Sequence, residues 1–145
     1  MIRVFPDELL GSATIYVEGR GESYLGQVAI GEVIRNRMAQ RIFSNGTVDD
    51  TIFQRKQFAG WEDHNRMALG SVETEDPAWR SCVRAWAESA TSIVTRGASH
   101  YLNPTLVIKQ LGSLPAWAGD PNDPMKFNEL LVTLREGRHV FLRLR

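Results

Sequence analysis

The sequence has a single cysteine, Cys82, and no excess of charge of either sign. One cysteine cannot close a disulfide within the chain, and it excludes a zinc site built from cysteines. Because Cys82 falls among the inward positions of a predicted helix, we expect a buried, inert thiol rather than a nucleophile. The 17 Lys and Arg residues balance 17 Asp and Glu residues. This balance removes the usual electrostatic signature of a nucleic-acid-binding protein, and we expect no such partner.

Long apolar runs and familiar ligand motifs are also missing. No stretch approaches the roughly 18 apolar residues that span a bilayer, and the first residues do not read as a signal peptide, so we expect no membrane anchor. The phosphate-binding loops GxxxxGK[ST] and GxGxxG are absent. The three histidines, His64, His100 and His139, are scattered without partners at ligand spacing. We therefore expect no metal site and no cofactor.

Length and composition are typical of one globular domain. The 145 residues are 43% hydrophobic and 23% charged, and a chain of this length buries roughly 68–70% of its unfolded surface around one core. No internal repeat or low-complexity tract divides the chain. We predict a single domain over residues 1–145.

Hydrophobic periodicity predicts two helices in the first third of the chain. Residues 7–19 place Leu10, Ala13 and Val17 on an inward face. Residues 24–40 are apolar around more than half of the helix circumference, as expected of a central helix. Glu32 interrupts that apolar surface and is out of place on it.

A third helix is predicted over residues 76–97. Asp76 suits its N-cap, Pro77 its first turn and Gly97 the position just past its end. The predicted inward stripe consists of Trp79, Val83, Trp86, Ala90 and Ile93 or Val94.

The remaining segments are less regular. Residues 41–75 suggest only a short helical turn at 48–53, and four of the six prolines fall in residues 98–125, which disfavours a long helix there. The C-terminal segment fits either a helix or two strands about a turn at Glu136-Gly137. The β-branched residues in both runs favour the hairpin.

A glutamate near the end of the first predicted helix is a candidate general acid. Glu18 lies at the edge of the apolar stripe and is followed by Gly19 and Gly21. A carboxyl group at such an edge can be partly desolvated, which keeps it protonated near neutral pH. A solvated helix end is the commoner situation for a glutamate, so the spacing alone leaves both interpretations open.

Several short motifs, taken in order, resemble the spore-cortex-lytic or SleB-like family of cell-wall hydrolases. The motifs extend from about residue 14 to residue 142, and their order is more specific than any one of them. They are Tyr16, Glu18, Arg20, Gly21, Glu22, Gly26-Gln27-Val28-Ala29, Val33 and Asn36-Arg37, then Gln57-Phe58, Trp61, Tyr101, Asn103-Pro104, Pro115-Ala116-Trp117, and Gly137, His139, Val140 and Phe141.

The resemblance implies an α+β, mainly α fold. This would be a lysozyme-like or lytic-transglycosylase-like domain with a small C-terminal β-hairpin, acting on the glycan strands of peptidoglycan. It maps the catalytic acid and base of the family onto Glu18. The family's usual alanine after this glutamate is Gly19 here, and we expect the missing methyl group to loosen the helix end. Glu32 stands where the family prefers a small or apolar residue.

Two mechanisms remain open for cleaving the β-1,4 bond between N-acetylmuramic acid and N-acetylglucosamine. A hydrolytic N-acetylmuramidase would use Glu18 with a second carboxylate, for which Glu22 is the nearby candidate. In a lytic transglycosylase, the C6 hydroxyl of the sugar attacks the anomeric carbon and leaves a 1,6-anhydromuramyl end, so Glu18 serves first as acid and then as base. The resemblance favours the transglycosylase.

Other motif residues are candidates for substrate binding or for support of the site. The substrate-binding candidates are Glu22, Gln57, Phe58, Tyr101, Asn103 and Trp117, and the supporting candidates are Arg20 and His139. Tyr101 and Asn103 suit either a sugar-binding loop or a turn that holds the loop in place.

Three of these candidates carry specific alternatives. Glu22 suits either a substrate-orienting group paired with Arg20 or a helix cap. Trp117 suits either a sugar platform or the core. We expect His139 to be a structural hydrogen bonder rather than a catalyst.

For the biological role we expect a bacteriophage endolysin that acts as a monomer. Such an enzyme stays in the host cytoplasm until a holin opens the inner membrane, and it then acts on the cell wall in the periplasm. The alternatives are a virion-associated lysin and, more distantly, a non-catalytic glycan-binding domain. The presence of Glu18, Arg20 and Glu22 argues against the last of these.

Overall fold

The structure is a computed structural model that describes residues 6–54 and 72–144. The longer helices lie in the first part of the chain, and the strands follow them. In chain order the described elements are α1 (Asp7–Gly19), α2 (Tyr24–Gln40), α3 (Val48–Ile52), α4 (Pro77–Glu88), β1 (His100–Leu102), α5 (Pro104–Leu111), β2 (Gly119–Asp120), β3 (Asp123–Phe127), β4 (Val132–Glu136) and β5 (His139–Leu142). No helix in the two described ranges combines the length and the hydropathy of a membrane span.

Side-chain caps fix where the long helices begin. The Ser23 hydroxyl accepts a hydrogen bond from the Gly26 N–H at 3.1 Å and starts α2. The Asp76 carboxylate accepts one from the Ala78 N–H at 2.8 Å and starts α4, with Pro77 in the first turn. The bounds of α1 and α2 and the start of α4 agree with the sequence prediction.

The main core lies where α1, α2 and α4 pack together. Leu10, Ala13 and Val17 of α1 are buried, as predicted. Gly11 lies against the face of Trp86, and a methyl group at residue 11 would overlap the indole ring. Trp86 therefore packs in the core, as predicted, because α1 presents no side chain at this point.

The predicted helix over 76–97 is wrong at its C-terminal end, because α4 stops at Glu88. Two residues of the predicted inward stripe are exposed instead. Val83 is 40% exposed and Ile93 is 81% exposed. Ala90 is also exposed. The segment after Glu88 follows a different path because its polar groups bind to Glu32.

Glu32 is a buried carboxylate with a full set of donors. It accepts hydrogen bonds from the backbone N–H groups of Val94 (3.0 Å) and Thr95 (2.9 Å), and from the hydroxyl groups of Ser92 and Thr95. A buried carboxylate is tolerated where such bonds replace its hydration. Glu32 is thus the residue of α2 that holds the loop leading to β1.

The C-terminal hairpin is present, as predicted. β4 pairs with β5 in antiparallel register, and Gly137 in the turn has a φ of 56°, a conformation that favours glycine. The sheet has a third strand that the sequence analysis did not predict, because β1 pairs with β5 to give the order β1-β5-β4. A pairing between segments so distant in sequence leaves no local pattern.

The proline-rich segment folds into two short units. Pro104 occupies the first turn of α5, an eight-residue helix that ends at Gly112 with a φ of 82°. β2 and β3 form a separate two-stranded ribbon. Both units pack around a second, smaller core of Leu102, Leu114, Ala118, Val140 and Leu142.

Cys82 has no accessible surface, and burial raises the pKa of its thiol to about 12. The prediction of a buried, inert cysteine is confirmed.

Candidate active site

Glu18 is the penultimate residue of α1 and is half-buried. It faces a small cleft of about 280 Å³ at the C-terminal end of that helix. The cleft is lined by Val17, Glu18, Gly19, Arg20, Gly21, Glu22 and Arg138. The structure therefore places the candidate acid beside Arg20 and Glu22, two other residues that the sequence analysis selected.

Tyr101 of β1 forms a side-chain hydrogen bond with Glu18. Burial, and then the charge of Glu18, raise the pKa of Tyr101 well above its ordinary value, so the phenol stays protonated and donates this bond. The Tyr101 ring packs edge-on against His139 at a centroid distance of 5.2 Å and lies 5.5 Å from Phe141. The hydroxyl, rather than the ring, thus faces the candidate acid.

Arg37 is a buried cation near the same carboxylate. Its Nε donates a hydrogen bond to the Ser99 carbonyl oxygen at 2.6 Å. Burial lowers the pKa of Arg37, whereas the charges of Tyr101 and Glu18 act in the opposite direction. The sequence analysis placed Arg37 in a motif but did not select it as a site residue. An arginine is rarely buried without a partner, so its position on the buried surface of α2 was the signal for a functional role.

Gln27 fixes the end of the helix that carries Glu18. Its side-chain amide donates to the Gly19 carbonyl oxygen at 3.2 Å, and its Oε1 accepts a hydrogen bond from the Ser81 hydroxyl at 2.6 Å. The last turn of α1 is thereby tied to both α2 and α4. Gly19 is buried, and a methyl group there would lie 2.5 Å from Ile30 Cδ1, so its absence allows close packing at this helix end.

Glu22 is engaged by the C-terminal hairpin. Its side chain is only 8% exposed, and its Oε1 lies 3.2 Å from Arg138 Nη2 and 3.5 Å from His139 Nδ1. Burial lowers the pKa of His139, while the charge of Glu22 raises it. His139 Nδ1 is buried without a hydrogen-bond partner in the described structure.

The hairpin turn is docked onto the segment between α1 and α2. The Ser23 hydroxyl donates to Glu136 Oε1 at 2.9 Å. A Cβ atom at Gly137 would lie 2.7 Å from Glu22 Oε2, so a larger residue would push the carboxylate away. Glu22 thus connects the segment after α1 to the turn of the C-terminal hairpin.

The structure also describes three other predicted site residues, Arg20, Asn103 and Trp117. Arg20 follows α1, and its Nη1 donates to the Tyr16 carbonyl oxygen at 3.2 Å. Asn103 caps α5 by accepting a hydrogen bond from the Leu106 N–H at 3.2 Å. Trp117 is 39% exposed and packs against His100, at a centroid distance of 4.9 Å. Gln57, Phe58 and Trp61 lie outside the described residues.

No group of three or more His, Cys, Asp and Glu side chains suited to a metal ion occurs within residues 6–54 and 72–144.

Comparison with known proteins identifies the family. A profile described as Cell Wall Hydrolase matches residues 21–142, a match that begins three residues after Glu18. The chain is 36% identical over 97 residues to the spore cortex-lytic enzyme of Bacillus cereus, which covers 67% of this chain and 34% of that protein. It is 33% identical over 98 residues to the enzyme of Bacillus subtilis, covering 68% of this chain and 30% of that protein.

The fold is similar to that of two solved structures. One is the catalytic domain of the germination-specific lytic transglycosylase SleB from Bacillus anthracis, with a TM-score of 0.65 and 22% identity over 99% of this chain and 100% of the other. The second is the catalytic domain of SleB from Bacillus cereus, with a TM-score of 0.60 and 24% identity over 99% and 95% of the two chains. These matches confirm the predicted fold, which is mainly helical and lysozyme-like with a small sheet.

The chain belongs to the cell wall hydrolase family. It spans about a third of the length of the spore cortex-lytic enzymes that it matches.

Proposed function

We propose that this protein is a lytic transglycosylase that cleaves the β-1,4 bond between N-acetylmuramic acid and N-acetylglucosamine, with Glu18 as its acid and base. The observation that carries the proposal is the contrast between two carboxylates in one cleft. Glu18 is half-buried with the Tyr101 hydroxyl bound to it, whereas Glu22 is paired with Arg138 and lies 3.5 Å from His139 Nδ1.

In the proposed reaction Glu18 donates one proton and then accepts another. Its carboxyl group protonates the leaving O4 of N-acetylglucosamine as the C1–O4 bond breaks. The C6 hydroxyl of the muramyl residue then attacks C1, and the new C6–O–C1 bridge closes the anhydro ring. The Glu18 carboxylate removes the hydroxyl proton and is ready for another cycle.

The surroundings of Glu18 suit the second half of this cycle, in which Glu18 is a carboxylate. The Tyr101 hydroxyl stabilises the carboxylate that forms when the proton leaves. Arg37 places a buried positive charge within electrostatic range of the same group. Gln27 holds the end of α1, which limits the movement of Glu18 while the sugar reacts.

The position of Glu22 favours the transglycosylase over an N-acetylmuramidase. A hydrolytic route needs a second carboxylate that acts on water or on the anomeric carbon. Glu22 instead joins the segment after α1 to the hairpin, with its side chain 8% exposed. In the transglycosylase its role is to position the hairpin.

The decisive experiment is mass spectrometry of the soluble products released from purified sacculi. We expect 1,6-anhydromuropeptides from the wild type and a loss of at least about a thousandfold in rate for Glu18→Gln, which cannot donate the proton. Glu8→Gln is the matched control, because Glu8 lies in the exposed first turn of the same helix.

The product identity separates the alternatives. Reducing muramyl ends from the wild type would overturn the transglycosylase and support a muramidase. If neither wild type nor variant released any product, a glycan-binding domain would replace the enzyme as the best account.

We further propose that the protein serves in host lysis by a bacteriophage, as a monomeric endolysin kept in the host cytoplasm until a holin opens the inner membrane. Cleavage of glycan strands is the activity that such lysis requires. The test is expression in a bacterial host with and without a holin, where lysis only in the presence of both supports the role. Detection of the protein inside phage particles would favour a virion-associated lysin.

A further inference from the structure

A second, larger cleft lies on the other side of the hairpin turn from Glu18. Its volume is about 590 Å³, and it runs between α5 and the turn that joins β4 to β5. Its lining residues are Asn103, Pro104, Thr105, Leu106, Lys109, Arg135, Gly137, Arg138, His139 and Val140. The mechanism proposed above does not use this cleft.

The described residues that line this cleft carry charge of one sign only. Lys109, Arg135 and Arg138 are its cations, and no Asp or Glu of residues 6–54 and 72–144 lines it. This cluster of cations contrasts with the whole chain, in which 17 basic and 17 acidic residues cancel. A cleft lined by one sign of charge focuses the electrostatic potential and attracts groups of the opposite sign.

The three cations are available to a ligand to different degrees. Arg135 pairs with Glu129 at 2.5 Å and Arg138 with Glu22 at 3.2 Å, but their side chains remain 53% and 69% exposed. A guanidinium has five N–H donors, so one carboxylate partner leaves others for a ligand. Lys109 has no ion-pair partner within the described residues and is exposed.

The basic cleft adjoins the candidate active site at Arg138. Arg138 lines both clefts, and His139 lines the larger one while facing Glu22. Asn103 is two residues beyond Tyr101, whose hydroxyl binds Glu18. A group attached to the sugar that reacts at Glu18 can therefore extend into the basic cleft.

We infer that the basic cleft binds the carboxylates of the stem peptide carried by the muramyl residue, so that the enzyme prefers peptide-bearing glycan to naked glycan. The inference rests on the proposed function and specifies its substrate. The glycan strand itself offers N-acetyl groups and hydroxyls, whereas the stem peptide supplies the negative charges. Lys109 and the free guanidinium donors of Arg135 and Arg138 match those charges.

The test compares two substrates and two charge reversals. The substrates are intact sacculi and the same glycan after an amidase has removed the stem peptides. We expect Lys109→Glu to lower kcat/KM on peptide-bearing glycan by about tenfold, with no more than a twofold change on the stripped glycan. Lys126→Glu makes the same change of charge on an exposed residue outside the cleft, and we expect it to lower neither rate more than twofold.

Salt and competitors supply independent readouts. The loss caused by Lys109→Glu should shrink as the salt concentration rises, because exposed charges are screened. A free stem peptide should inhibit cleavage of stripped glycan by the wild type and lose potency against Lys109→Glu. Inhibition by a teichoic acid, with none by the peptide, would assign the cleft to a phosphate polymer and overturn the inference.

Failure of the inference can be distinguished from failure of the proposed function. Equal losses for Lys109→Glu and Lys126→Glu, or an equal loss on both substrates, would overturn the peptide-binding role while leaving the transglycosylase intact. Anhydro products absent from both substrates with the wild type would instead refute the proposed function.

Discussion

At the scale of single residues, the site depends on which polar group each side chain faces. Glu18 and Glu22 are four residues apart, yet one receives the Tyr101 hydroxyl and the other an arginine and a histidine. The same functional group therefore acquires two roles from its surroundings. Among these contacts, the hydrogen bond of Tyr101 to Glu18 can be removed with the smallest chemical change, the loss of one hydroxyl group.

We predict that Tyr101→Phe lowers kcat about 10- to 100-fold and leaves the fold intact. The change removes a hydrogen bond to a charged group, of a kind worth about 1.5–3 kcal/mol, while the ring keeps its contacts with His139 and Phe141. The carboxyl of Glu18 then keeps its proton to higher pH, so the alkaline limb of the pH–rate profile should move upward.

The measurement is a pH–rate profile alongside a thermal melt. Tyr24→Phe is the control, because Tyr24 lies on α2 and its hydroxyl interacts with Glu88 instead of Glu18. A Tyr101→Phe enzyme with wild-type kcat and an unmoved alkaline limb would contradict the assigned role.

At the scale of elements, buried polar groups decide where helices stop and how loops run. α4 ends at Glu88 although apolar residues continue beyond it, because Glu32 binds the backbone of Val94 and Thr95. The loop that Glu32 holds leads directly to β1, which carries Tyr101. A structural carboxylate on α2 thus contributes to the position of a residue at the active site.

We predict that Glu32→Ala lowers the free energy of unfolding by about 3 kcal/mol, because it leaves buried N–H and hydroxyl donors without an acceptor. Glu32→Gln should lose less, about 1–2 kcal/mol, since its amide oxygen still accepts. Urea denaturation measures both values, and Glu73→Ala, an exposed change, is the control. A loss below about 0.5 kcal/mol for Glu32→Ala would show that the loop does not depend on this carboxylate.

At the scale of the whole molecule, stability depends on a buried histidine of β1 that the folded protein keeps uncharged. His100 of β1 is 9% exposed, and burial together with Arg37 lowers its pKa to about 4. The Ser99 hydroxyl and His100 Nδ1 are 2.9 Å apart. The folded protein therefore holds His100 neutral at pH values where the unfolded chain protonates it.

We predict that stability falls as the pH drops from about 6.5 toward about 4, because the unfolded state binds the His100 proton first. The free energy of unfolding is lowered by about 3 kcal/mol once the pH is below both pKa values of His100, and this effect is absent above pH 7. His100→Gln should flatten the dependence. Thermal melts at pH 7, 6, 5 and 4.5 test this, and parallel pH profiles for wild type and variant would refute it.

Local sequence determined much of the secondary structure and the identity of the candidate acid. Apolar periodicity and caps depend on residues within one or two turns, so α1, α2 and the start of α4 were predictable from neighbours alone. The C-terminal hairpin was predictable for the same reason, since Gly137 and the flanking β-branched residues lie close together in sequence. Ordered motifs around Glu18 indicated the family, and the family profile and the curated relatives confirmed it.

Tertiary structure alone decided the features that join distant segments. The contact between Glu22 and Arg138 spans 116 positions of sequence, and that between Glu32 and Thr95 spans 63. The hydrogen bond from Tyr101 to Glu18 and the meeting of Lys109 with Arg138 in one cleft are of the same kind. Such contacts form only when packing of the core brings the two segments together. Neither residue changes the sequence pattern around its partner, so the contact cannot be predicted from neighbouring residues. The sequence therefore identified the candidate acid, whereas only the folded chain identified its partners.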